Sequence, residues 1–123
     1  LEKFRIAVGQ HLLDNPGRSA ADITVAILGL AFKPDIDDLR ESPALEVARA
    51  ICSTTSGPVY IVEPNISEIP KGLGHAKLVP VKGLSADICI VLVKHSQFAH
   101  DLINAGTVID VVGLGAKQVR QSE

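Results

Sequence analysis

Aromatic residues are scarce, with three Phe, one Tyr and no Trp among 123 residues. With hydrophobic residues at 46%, the core has to be aliphatic. Such a core favours closely packed helix-on-sheet layers and leaves no platform on which single-stranded nucleic acid could stack. A basic block is also missing, and the net charge is −2, so a nucleic-acid backbone is not an expected partner. No apolar run approaches the ~20 residues of a membrane span, and nothing resembles a signal peptide, so no membrane partner is expected. Cysteine is limited to Cys52 and Cys89, too far apart for a disulfide framework, which fits a reducing cytoplasm. The histidines, His11, His75, His95 and His100, show no metal-ligand spacing with each other or with the cysteines. No internal repeat or low-complexity segment is visible.

What is present reads as one domain, long enough to bury roughly two-thirds of its unfolded surface. The chain begins at Leu1 already inside a helical pattern, and is read as a piece of a longer protein. Leu1, Phe4, Val8 and Leu12 recur at helical spacing, which predicts an amphipathic helix over 1–14, stopped by Asn15-Pro16-Gly17. Thr24 to Gly29 is a continuous apolar run of the kind expected in a central parallel strand. After a charged loop, Ser42 caps a helix with Pro43 at its first position, and Leu45, Ala48, Ile51 and Cys52 line one face. Further strands are predicted at 59–62, 77–81 (a short edge), 88–93 and 107–112. Ser96 is expected to cap a helix reaching about Asn104, and everything after Gly113 reads as a tail. Strands alternating with helices, each strand almost wholly apolar, predict a Rossmann-like, doubly wound parallel sheet in a three-layer α/β/α sandwich.

The charged loop, Phe32 to Pro43, is the informative segment. It leaves the carboxyl end of a parallel strand, where open α/β sheets bind ligands. Lys33 and Arg40 share it with Asp35, Asp37, Asp38 and Glu41, a mixture suited to cations held by acids and aimed at a phosphate. Residue types alone leave it balanced between an anion clamp and a solvated surface in which Arg40 pairs with Asp38; its location tips it toward the clamp. Gly29 ends the first strand, but Gly-Leu-Ala-Phe-Lys-Pro lacks the later glycines of a dinucleotide fingerprint, so the main NAD site is not expected here. Glu63, at the end of the second strand, is read as structural, not as a ribose ligand. Cys52 and Cys89 read as buried core residues and not as nucleophiles. Gly113 to Lys117 has the wrong spacing for a phosphate loop.

The run from Gly29 to Ala44 closely resembles the carboxyl-terminal domain of the UDP-sugar 6-dehydrogenases, the UDP-glucose, UDP-N-acetylmannosamine and GDP-mannose type. Val62-Glu63-Pro64-Asn65 and His95-Ser96-Gln97-Phe98 look most like its UDP-N-acetyl-D-mannosamine branch. The resemblance implies an NAD-dependent cytoplasmic oxidoreductase serving polysaccharide biosynthesis, which takes the sugar C6 hydroxyl to a carboxylate in two hydride transfers through a cysteine thioester. It implies that residues 1–18 end a connecting helix from a missing middle domain and that 19–123 form the UDP-sugar-binding domain. By motif position, Phe32 and Lys33 would contact the UDP-sugar and Arg40 would reach NAD held mainly by a missing domain. No catalytic residue falls in this chain, which alone is expected to be inactive; a homodimer is implied for the full-length enzyme. One departure is Val112, where the family commonly has a cation two residues after the aspartate ending the last strand. Either Lys117 substitutes, or the chain is a degenerate regulatory or assembly module that does not bind nucleotide.

Overall fold

The computed structural model describes residues 2–30, 42–64, 66–80, 84–93, 103–110 and 119–121. Six strands form one wholly parallel sheet in the order β3-β2-β1-β4-β5-β6, the strand order of a doubly wound dinucleotide-type fold. They are β1 (Val25–Leu28), β2 (Val59–Val62), β3 (Lys77–Leu78), β4 (Ser85–Val91), β5 (Ile103–Asp110) and β6 (Val119–Gln121). The described helices are α1 (Glu2–Asp14) and α2 (Pro43–Thr54), with a 3₁₀ turn at Ala20–Asp22.

The apolar runs become strands because both sheet faces are covered. On one face Val25, Ile27, Val59, Ile61, Ile88 and Ile90 pack with Phe4 and Ala7 of α1 and with Leu45, Ala48, Ile51 and Cys52 of α2. On the other, Ala26, Leu28, Val62, Cys89, Val91 and Ala105 are equally buried. A strand buried on both sides cannot alternate with polar residues, and β1 is buried at every position. Helix α2 starts as expected: Ser42 accepts from the Leu45 amide and Pro43 occupies the first turn. Helix α1 docks by Phe4 and Ala7, with Val8 and Leu12 packed more loosely, while Ile6 and Leu13 face outward.

The structure corrects the sequence reading toward the carboxyl end. Ile103 and Asn104, expected to finish a helix, open β5, where Asn104 pairs with Ser85 of β4. Asn104 and Gly106 disguise that strand locally, yet the β4–β5 ladder continues past them. β4 likewise starts at Ser85 because Asp87 spends its polar side chain on Thr24. The expected tail contains β6, which pairs with β5 from Ile103↔Val119 to Ala105↔Gln121. The rest of the expected 96–104 helix lies outside the described residues. No helix among the described residues is long and apolar enough to cross a membrane.

Candidate functional site

Strand order reverses between β1 and β4, which places the topological switch point at the carboxyl end of β1. The charged loop is rooted there. Phe32, Lys33 and Arg40, with the loop's acids, lie outside the described residues, as do Val112, Lys117 and His95. Both ends of the loop are described. The Ser42 hydroxyl donates to the Leu30 carbonyl at 2.6 Å, so the segment between them leaves and returns at one point. The Leu30 amide donates to Glu63 Oε1 at 2.9 Å. Glu63 is 2% exposed, a buried carboxylate with one oxygen on main chain, in keeping with the structural role read from sequence.

Gly29 has φ +92°, and a Cβ built there would stand 2.5 Å from Val93 Cβ and 2.8 Å from Val93 N and O. Its missing side chain admits Val93, just past the end of β4, not a ligand. Helix α2 offers few amides at its start, since Pro43 has none, Leu45 is capped by Ser42 and Glu46 donates to the Ser42 carbonyl. With Glu63 engaged at the position that reads a ribose in dinucleotide folds, these residues do not fit NAD as the domain's own cofactor.

The described cavity, about 480 Å³, lies at the opposite, amino-terminal end of the strands. Gln10, His11 and Asp14 of α1 face Thr24, Asp87 and Thr107 across it. A cavity of that size could take a ligand, but most of its polar groups serve one another. Asp87 Oδ2 accepts from the Thr24 amide at 2.9 Å, the Thr24 hydroxyl at 2.9 Å and Arg18 Nη2 at 3.2 Å. His11 Nε2, buried, stands 3.7 Å from Asp87 Oδ1, close enough for charge but not for a hydrogen bond, and has no hydrogen-bond partner among the described residues. This cluster fastens α1 and the turn after it to the sheet, and sequence reasoning missed it because its members are distant in the chain.

Burial pushes the Asp87 carboxyl up, but the Thr24 bonds, with Arg18 and His11, outweigh it and hold the group below its ordinary value. A folded-state carboxyl held low contributes stability that is complete above the unfolded value near ~3.9 and is lost as pH falls through the folded value. Asp87→Asn is therefore expected to cost about 1 kcal/mol at neutral pH. It should also flatten the fall in stability below about pH 4, measured by urea midpoints at successively lower pH.

Cys52 and Cys89 are both buried, and burial pushes the Cys52 thiol up, away from the thiolate a nucleophile needs. Among the described residues no group of three His, Cys, Asp or Glu could hold a metal ion.

Comparison with known families adds the deciding observation: residues 26–116 match the UDP binding domain of the UDP-glucose/GDP-mannose dehydrogenase family. The chain belongs to that family. It is 40% identical over 120 residues to UDP-N-acetyl-D-mannosamine dehydrogenase of Escherichia coli K12, covering 93% of this chain and 28% of the relative. Among solved structures, a UDP-glucose dehydrogenase from Pyrobaculum islandicum matches with TM-score 0.58 and 26% identity, over 97% of this chain and 28% of that one. A UDP-N-acetyl-mannosamine dehydrogenase from Staphylococcus aureus matches with TM-score 0.60 over 98% of this chain and 27% of its own; at 19% identity it speaks to the fold alone. The chain thus spans little more than a quarter of the dehydrogenases it matches.

Proposed function

We propose that this chain is the nucleotide-binding domain of an NAD-dependent UDP-N-acetyl-D-mannosamine 6-dehydrogenase. The observation that carries this reading is the rooting of the Lys33–Arg40 loop at the switch point of a 3-2-1-4-5-6 sheet, in a chain matched by a UDP binding domain. In this reading the Lys33 ammonium meets the diphosphate, Phe32 lies against the nucleotide sugar, and Arg40 reaches toward the cofactor site of another domain. Residues 1–18 are the end of a connecting helix and 19–123 the binding domain. Binding energy from the uridine and diphosphate, remote from the reacting carbon, would hold C6 in place for its oxidation to a carboxylate. That chemistry, with the cofactor and the catalytic cysteine, belongs to the domains outside this chain, so the chain alone oxidises nothing. The whole enzyme is a cytoplasmic homodimer in this proposal.

Titration with UDP by calorimetry tests it. Wild type is expected to bind, and Lys33→Ala to lose about 1.5–3 kcal/mol, the scale of a charge-assisted contact. Failure of the wild type to bind favours the degenerate module, whose feature in the sequence is Val112 in place of a cation. Unchanged affinity in Lys33→Ala removes Lys33 from the site.

A further inference from the structure

Leu30 is the last described residue before the charged loop and is fully buried. It sits just past the point where the β-ladder stops. The Gly29 amide makes the final ladder bond, to the Val62 carbonyl at 2.8 Å. Amides alternate sides along a strand, so in register the Leu30 amide would face away from β2, but the chain turns at Gly29, φ +92°, and leaves the ladder. Glu63 Oε1 supplies the acceptor instead, at 2.9 Å. A carboxylate is costly to bury, and here it supplies the acceptor for an amide that has left the ladder. The other side of Leu30 is fixed as well, since its carbonyl accepts from the Ser42 hydroxyl at 2.6 Å while that hydroxyl caps the Leu45 amide. One residue therefore joins β1, β2 and α2.

We propose that Glu63 and Ser42 are positioning residues for nucleotide-diphosphate binding: together they fix, at Leu30, the points where the 31–41 segment leaves and re-enters the fold. The inference rests on the reading of Lys33 as a diphosphate ligand. A cation near the root of a loop keeps its direction only if the root is fixed. Fixing both ends before the ligand arrives removes part of the ordering cost of binding. Glu63 in this role touches no ligand, so the ribose contact made by the corresponding carboxylate in dinucleotide folds is exchanged for loop placement.

The test uses the full 123-residue chain. UDP affinity is measured by calorimetry, and exposure of the root by the rate of tryptic cleavage after Arg40, in wild type, Glu63→Ala, Glu63→Gln and Ser42→Ala. Asp87→Ala, which disrupts the cluster at the opposite end of the sheet, controls for general loss of stability. Glu63→Ala is expected to weaken UDP binding about tenfold and to speed cleavage by a similar factor. Glu63→Gln, which keeps an acceptor oxygen for Leu30, should recover most of both, and Ser42→Ala should fall between. Asp87→Ala should leave affinity at the wild-type value. Wild-type affinity and cleavage in Glu63→Ala overturn the proposal, as does an equal loss of affinity in Asp87→Ala. Wild type that does not bind UDP overturns the ligand reading beneath it, a failure visible before any variant is compared.

Discussion

Gly29→Ala is expected to lower the unfolding free energy by about 3 kcal/mol, the sum of a left-handed backbone strain and a steric clash. At φ +92° any L side chain is strained, and the added methyl would press on the main chain of Val93 as well as its Cβ. Rotation of a neighbouring side chain cannot relieve contacts with N and O, so the ends of β1 and β4 must separate. The Leu92 and Val93 amides, which both donate to the Leu28 carbonyl at 2.9 and 3.2 Å, would be pulled from their acceptor. Urea denaturation followed by far-UV circular dichroism checks the free energy, and a thermal melt should show Tm lower by about 10 °C. A loss below about 1 kcal/mol would mean that the two strand ends part freely and that glycine is not required for their approach.

Ile27→Ala should be as damaging, at about 3–4 kcal/mol. Ile27 is fully buried and is the second member of a row of isoleucines that runs across four strands as Ile61, Ile27, Ile90 and Ile109. Ladder bonds lock its neighbours in register on both sides, so they cannot slide into the space left by the lost atoms. Ile109, at the end of the same row and only partly buried, provides the comparison. Ile109→Ala is expected to cost less than half as much, measured by the same urea midpoints. Equal losses at the two positions would show that neither the deeper burial of Ile27 nor its confinement between paired strands sets the cost.

The contrast between these residues also explains which parts of the molecule could be read from sequence. Ile27 belongs to an uninterrupted apolar run, and such a run in a chain of alternating helices announces a central strand wherever it occurs. Ser42-Pro43 marks the start of α2 with equal force, because capping depends only on residues within one turn. Strand β5 carries no such mark: Asn104 and Gly106 are poor strand formers held in place by the ladder with β4, a partner 19 positions earlier. β6 depends in turn on β5. The same reasoning divides the candidate site. The Lys33–Arg40 segment, outside the described residues, is legible as charge following a strand and as a family motif continuous in the sequence. Glu63 was recognisable as structural but not as the partner of Leu30, since that bond requires β1 and β2 to be in register 33 positions apart. The Thr24–Asp87 cluster spans 63 positions and left no local signal.

Both margins of the sheet are short. β3 has two residues and is followed closely by Pro80, which has no amide hydrogen to offer; β6 has three. Open sheet borders are where a neighbouring molecule can add a strand and begin aggregation, and natural proteins blunt them by brevity, proline and lysine, with Lys77 supplying the last here. Parallel architecture with truncated borders should therefore keep copies of this domain from zipping together edge to edge, even at high concentration.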